Sequence, residues 1–423
     1  MDPPENCKPG EVQIATNIDF TDTHQARRRD GYSSVYAGTP YSIWANKAGT
    51  ICLFREGNNL KSLSTAYAAS NVRTDLTVGA WMNYLDLNDR IYYSDGIATG
   101  IYDGTTDRSW GLAVPTVATI SATTGLLTEG RYIITLTYER NDGQESGSSV
   151  AQFIDLQDNA GISFDTIPTS PDSTVSYVNI YMTTCNGETF YYAGRVANAV
   201  TTWTYTGDTT EFHLPIKTMF LSPPPAGQIL QYYKGRVYIA TGDTIYYSEP
   251  YAYELFDLAH NRIQFDSRIA VMAAVRDGIW IATQNRTIFL AGDDAQQFKY
   301  IQRTNYGAIE GTQAVFPEIG KEKEEVQAWI WASSEGIISG FEGGILKNLT
   351  GAKYSNDTMT LGCSLLREEN DRTLFIVNLY PLESASVSPS LSPSKSPSKS
   401  PSKSPSKSPS KSPSVSPSAS PSA

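Results

Sequence analysis

A two-strand motif recurs about every 42 residues along this chain and limits its fold more than any other feature. Each copy is a hydrophobic strand, a tight turn rich in Gly, Asn or Asp, and a second strand. The clearest pair is Val237–Thr241 followed by Thr244–Tyr246, and Ile279–Thr283 followed by Thr287–Phe289. Weaker copies begin at Ile51, Ile91, Trp329 and Leu374. A period in the forties with several short strands per unit predicts a β-propeller, whose blades bury their faces against one another. Six blades are expected, with five as the alternative.

The spacing also locates a second module. Successive copies lie 40 residues apart from 51 to 91, then 42, 50 and 45 apart from 237 through 279 and 329 to 374. The interval from 91 to 237 is 146, and setting aside a module of 105 residues at 117–221 leaves 41, one ordinary repeat. Loops between blades are where such insertions are tolerated. Within the module, Tyr132–Tyr138 alternates as a strand and Asn141-Asp142-Gly143 makes a turn. Further strand candidates fall near 149–155, 161–165, 176–183, 189–195 and 200–205. About seven short strands separated by turn signals predict a β-sandwich of the fibronectin type III or immunoglobulin kind.

The expected fold is therefore all-β: propeller at 1–116 and 222–383, inserted sandwich at 117–221, and a tail at 384–423. Closure is expected from pairing of Val12–Phe20 with the last blade at Leu374–Leu379, which would remove exposed sheet edges. The 26 Tyr and 32 Gly fit this class, since Tyr suits pleated half-buried surfaces and Gly supplies turns. The one helix-like stretch, Glu318–Gln327, reads as a charged loop between blades. No segment approaches the roughly 18 apolar residues of a membrane span.

From Ser384 the chain becomes Ser-Pro-Ser-x repeats, with nine prolines from Pro389 to Pro421. Proline at every fourth position removes amide donors and leaves nothing to bury, so an extended, disordered tail is expected. Five lysines at 395, 399, 403, 407 and 411 sit in this tail, and no acid follows Glu383. The remaining 28 basic and 44 acidic residues give the body a net charge of −16. So acidic a body is ill suited to gripping phosphates and fits a surface past which DNA moves without sticking. Arg27-Arg28-Arg29, the one basic cluster, is expected in a solvated loop or subunit contact.

Motifs for chemistry are sparse. His24, His213 and His260 show no paired arrangement, and P-loop, nucleophile-elbow and dinucleotide patterns are missing. Cys7, Cys52, Cys185 and Cys363 are far apart; the last three are expected in or beside strands as small buried hydrophobes. The N-terminus lacks the basic and apolar regions of a secretory signal, which favours assembly in a reducing cytoplasm. Asp86, Asn88 and Asp89 lack the spacing of a calcium loop and read as a turn. Asn285, Asn348 and Asn356 each begin an N-x-Thr sequence and also read as turn residues. Tyr102–Trp110 resembles an Asp-box, a turn that recurs in sialidase blades, but occurs once. No catalytic residue, metal site or cofactor is expected. A carbohydrate-binding adhesin or sialidase-like glycosidase is the alternative, and glycosidase chemistry would need carboxylates converging on one pocket.

Three stretches carry a family resemblance: Asn17–Phe20, Arg27–Tyr32 and Pro40–Trp44. Together they resemble the opening of β-propeller proteins in tailed-bacteriophage particles. Ile245–Pro250 with Glu254–Asp257, and Ile180–Thr183 with Phe190–Ala193, are similar to strand-to-loop passages of the same proteins. The likeness spans most of 12–380 and makes the chain similar to tail hub or DNA-stabilising proteins of short-tailed phages. It implies a non-enzymatic virion structural protein, located in the tail and assembled in the host cytoplasm as a homo-oligomeric ring. Implied partners are other tail or connector proteins, packaged DNA passing without sequence-specific binding, and a host-surface glycan. The Ser-Pro tail has no match among hub proteins.

Overall fold

The computed structural model describes residues 18–20, 26–28, 33–46, 48–316, 328–351, 358–369 and 372–381. By internal contacts the chain divides into residues 1–382 and 383–423, and the second unit, with the Ser-Pro repeats, lies outside the described residues. Among the described residues the structure is all-β and propeller-like; its only helical pieces are two short 3-10 turns.

A short hairpin comes first, β1 (Ile18–Phe20) with β2 (Ala26–Arg28). The first blade sheet follows as β3 (Tyr41–Ala45), β4 (Cys52–Glu56), β5 (Asn59–Leu63) and β6 (Ala69–Arg73). The second is β7 (Asn83–Leu87), β8 (Arg90–Ser94), β9 (Thr99–Tyr102) and β10 (Asp107–Arg108).

Seven strands then intervene: β11 (Thr119–Leu127), β12 (Gly130–Arg140), β13 (Gln152–Leu156), β14 (Ala160–Thr166), β15 (Val175–Thr183), β16 (Phe190–Ala197) and β17 (Trp203–Tyr205). They form one sheet in the order β11-β14-β17 and another in the order β13-β12-β15-β16. Inward-facing Tyr132, Ile134, Leu136, Ile162, Phe164, Val178 and Ile180 from the two sheets make a single core.

The third blade sheet has five strands: β18 (Ile229–Tyr233), β19 (Arg236–Thr241), β20 (Thr244–Glu249), β21 (Ala252–Phe256) and β22 (Arg262–Gln264). The fourth is β23 (Ile269–Val275), β24 (Gly278–Thr283), β25 (Thr287–Ala291) and β26 (Lys299–Thr304). The fifth is β27 (Ala314–Phe316), β28 (Ala328–Ser333), β29 (Gly336–Gly340) and β30 (Leu346–Asn348). A last hairpin joins β31 (Met359–Glu369) to β32 (Arg372–Pro381).

Five of the repeat copies read from the sequence fall on the second and third strands of successive blade sheets. These strands read as nearly continuous apolar runs because both faces are covered, so alternate side chains serve different neighbours. Val237 and Ile239 pack toward the second sheet with Ile101 and Trp110. Tyr238 and Ala240, one residue out of phase, pack toward the fourth with Ile279 and Ile281. In β24, Trp280 and Ala282 then face Trp331 and Ile338 of the fifth sheet. Gly340 is required there: a Cβ would lie 2.7 Å from the Trp331 ring and 2.9 Å from Trp280 Nε1.

Contacts of β18 with β7 on one side and β23 on the other make the second and third blade sheets neighbours across the 119–205 strands. The turn chemistry is local. Asn88 and Asp89, at φ 54° and 57°, form the two-residue turn between β7 and β8, as two positive-φ residues in a tight hairpin should.

Four expectations change. Ile18–Phe20 pairs with Ala26–Arg28, and Leu374–Leu379 pairs with β31, so the expected joining of first and last strands is not the pairing found. Val12–Asn17 lies outside the described residues. The copy at Leu374 begins inside a two-stranded hairpin, not a four-stranded sheet; its long strands satisfy each other along ten Cα pairs. Arg27 and Arg28 belong to strand β2, with Arg28 exposed, while Arg29 lies outside the described residues. Cys52, Cys185 and Cys363 are free and only half-buried, and Cys7 is outside the described residues. Glu318–Gln327 falls there too.

Candidate functional site

Alternation along β12 sends Tyr132, Ile134, Leu136 and Tyr138 inward, and the next residue in that phase is Arg140. A guanidinium at a buried position needs a partner, and its sequence neighbour Asp142 comes no closer than 3.7 Å. The partner is Glu254, at the centre of β21 and in phase with the fully buried Phe256. Arg140 Nη2 donates to Glu254 Oε2 at 2.7 Å. From the end of β10, Arg108 donates to both carboxylate oxygens, at 2.9 and 3.1 Å. The Gly111 N–H adds a fourth donor at 3.2 Å.

One carboxylate thus joins two arginines from three segments of the fold: the second blade sheet, the intervening sandwich and the third blade sheet. The side chains of Arg108, Arg140 and Glu254 are 15%, 5% and 7% exposed, so the cluster is closed to bulk water. Asp142 lies 3.7 Å from Arg140 Nη1 and adds partial neutralisation from a more exposed position. Beside the cluster, the buried Trp110 donates its Nε1–H to Tyr253 O at 2.8 Å and meets Tyr92 edge-on at 5.1 Å.

Energetics decide what such a cluster does. Burial pushes the Glu254 carboxyl above its ordinary value, against the pull of Arg140 and the Gly111 N–H. Desolvating three buried charges offsets much of their mutual attraction, so such a cluster is weak evidence for stability. Its bonds are directional, however, and fix how the three segments meet. Two strand-like links reinforce the junction. Ser222 and Phe256 exchange N–H···O bonds of 2.9 Å, and Ser148 N–H donates to Thr218 O at 3.3 Å.

A related pair ties the first two blade sheets. Arg55, in phase with buried Leu53, donates to Asp95 Oδ2 at 3.1 Å and to Thr77 O at 2.6 Å, both charged side chains fully buried. The opposite oxygen of Asp95 accepts the N–H groups of Ile97 and Ala98, at 2.9 and 2.7 Å.

Residues singled out in the sequence lie elsewhere. His213 is exposed, and exposed His260 has Nδ1 2.8 Å from Asp257 Oδ2 within a turn; His24 is outside the described residues. Asp103, in the Asp-box-like stretch, accepts from the Thr105 and Thr106 N–H groups and caps its own turn. Asn348 does the same for Thr350 and Gly351; Asn285 sits in the β24–β25 turn, and Asn356 is outside the described residues. Among the described residues no group of three or more His, Cys, Asp or Glu converges as metal ligands. No described helix is long and apolar enough to cross a membrane.

The ion cluster was missed from sequence because Arg108 and Glu254 lie 146 residues apart. One signal was present: Arg140 and Glu254 occupy inward phases of otherwise apolar strands.

No family model and no curated protein matches the chain. Among solved structures, it is similar to BBS1N from a complex with ARL6DN, at 11% identity and TM-score 0.34, covering 83% of this chain and 96% of that one. Apo AztD from Citrobacter koseri gives 12% identity and TM-score 0.27, covering 73% and 86%. Sqt1 from Saccharomyces cerevisiae gives 11% identity and TM-score 0.21, covering 73% and 96%.

Proposed function

We propose that this chain is a non-enzymatic structural component of a tailed-bacteriophage particle, a tail hub or connector subunit that assembles in a ring. In this reading six blades form the disc, with the β1–β2 and β31–β32 hairpins in the sixth position. The 119–205 strands are a fibronectin III-like sandwich. The observation that carries the reading is the Arg108–Glu254–Arg140 cluster, which holds the sandwich at one angle to the blade sheets. A buried ion cluster, whose attraction is largely offset by desolvation, serves orientation more than stability, as a particle under load would need. The acidic body, at −16 outside the tail, lets DNA pass without adhering. Neighbouring tail proteins are the partners, and the virion tail is the location.

Cryo-electron microscopy of the purified chain, and of particles from cells expressing a tagged copy, tests this directly. Rotationally symmetric rings and incorporation of the tag at the tail are expected. A monomer at every concentration, absent from particles, would sink the assignment.

A further inference from the structure

Arg140 clamps one end of β12, and the other end, at Gly130 and Arg131, lies roughly 30 Å away at the usual rise per strand residue. A shallow, open cleft of about 380 Å³ lies at that end, lined by Glu129, Gly130, Arg131, Asp155, Gln157 and Asn186, with Phe153 beside it and outside its lining. Arg131 stands opposite Asp155 in strand register, and Ile133 opposite Phe153, so Arg131, Phe153 and Asp155 share the outer face of the sheet. Arg131 grips Asp155 through two hydrogen bonds of 2.8 and 3.0 Å, and its guanidinium lies 4.3 Å from the Phe153 ring centroid.

The frame beneath is fixed. Asn186, in a left-handed conformation, accepts the Arg131 N–H at 3.0 Å and donates its own N–H to Arg131 O at 2.8 Å. Gly130 has φ +147°, and a Cβ there would come within 2.4 Å of Cys185 Sγ.

As cross-strand pairs these residues add only a little to the stability of the sheet. Arg131 and Asp155 are 52% and 60% exposed, where an ion pair adds little to stability. Phe153 keeps 61% of its surface in water on an edge strand, so it buries little apolar area. What the end of the sandwich presents is a paired Arg131 and Asp155, the Glu129 carboxylate, side-chain amides and the Phe153 ring, one face of it under the Arg131 guanidinium, on a rigid base. Planar bidentate groups match adjacent hydroxyls, and an aromatic face matches the C–H face of a pyranose. Glu129 and Asp155 against Arg131 leave the cleft with one net negative charge, which disfavours acidic sugars.

We propose that this cleft binds a neutral oligosaccharide. The proposal rests on the cleft alone and stands apart from the assembly reading.

The test is biolayer interferometry of the full chain against immobilised maltohexaose, cellohexaose and chitohexaose, with hexagalacturonate as the acidic probe. At least one neutral probe is expected to bind, and Phe153→Ala and Asp155→Asn each weaken that binding at least tenfold. Tyr251→Ala, exposed and outside the cleft, keeps wild-type binding. If either cleft variant melts early, Gln157→Ala supplies the same comparison. Failure of every neutral probe, binding indifferent to the cleft substitutions, or tighter binding of hexagalacturonate overturns the proposal.

Discussion

The interface between the fourth and fifth blade sheets and the junction of the sandwich with the second and third are held by opposite kinds of force. The first is apolar: Trp280, Phe289, Trp331 and Ile338 fill it, with the two indoles 6.1 Å apart. Hydrophobic burial is strong and non-directional, so such an interface resists separation more than sliding. The second is an ion cluster, whose attraction is offset by desolvation but whose bonds are directional. The contrast separates two jobs. Apolar packing supplies the stability of the blade array, and the cluster supplies the angle at which the sandwich leaves it.

Breaking each side in turn tests the contrast. Glu254→Ala leaves Arg108 without its counter-charge and Arg140 with only the more distant Asp142, and should cost roughly 3–5 kcal/mol. Denaturant unfolding measures the loss, and limited proteolysis should show new cuts in the connections at 113–118 and 206–228. Equal protection of both connections in variant and wild type would remove the clamp from consideration.

A sharper comparison replaces the whole cluster, with Arg108→Met, Arg140→Met and Glu254→Leu together. Apolar replacement of a buried ion cluster is commonly neutral or stabilising by about 1–4 kcal/mol. Stability should therefore hold or rise while the sandwich samples more orientations, visible as blurred sandwich density in electron-microscopy averages. A sandwich as sharply defined as in wild type would assign the angle to the Ser222–Phe256 link instead.

On the apolar side, Ile281→Val removes one methylene from the packing between the third and fourth sheets. It should cost about 0.5–1.5 kcal/mol by denaturant unfolding and leave the proteolytic pattern unchanged.

The smallest effect is a pH response at the edge of the first blade sheet. Glu56 accepts from Lys61 Nζ at 2.5 Å and from the Tyr36 hydroxyl at 2.8 Å. The Lys61 hydrogen bond, then those of Tyr36 and the Thr39 N–H, lower its carboxyl to about 2. A depressed folded value means the contribution is present above the unfolded carboxylate range and is lost as pH falls toward about 2. Amide exchange of Thr39 should quicken over that window, and in Lys61→Met the change should begin at higher pH. An identical profile in that variant would assign the depression to Tyr36 and Thr39.

Much of the blade array was legible in the sequence because its signal is local. A paired apolar run and a Gly, Asn or Asp turn lie within about a dozen residues, and β19–β20 and β24–β25 follow that form, while β28–β29 turns through Ser334-Glu335. Their flanking strands were harder to read. β6 (Ala69–Arg73) and β26 (Lys299–Thr304) are largely exposed and carry little apolar pattern, so pairing with a neighbour, not composition, makes them strands. The hairpins at the two ends were misread for a related reason. β1 and β32 are good strands in isolation, and sequence pattern does not specify which edge a strand will choose.

The chain's residues by themselves determined a repeating two-strand unit, the interruption between the units at 91 and 237, and the polar character of the turns. Each follows from periodicity, which depends only on near neighbours. Tertiary structure alone decided that Arg140 and Arg108 share the Glu254 carboxylate, and that Phe153 stays in water beside Arg131. Those facts depend on distances between residues far apart in the chain, and a buried charge announces only that it needs a partner, never which one.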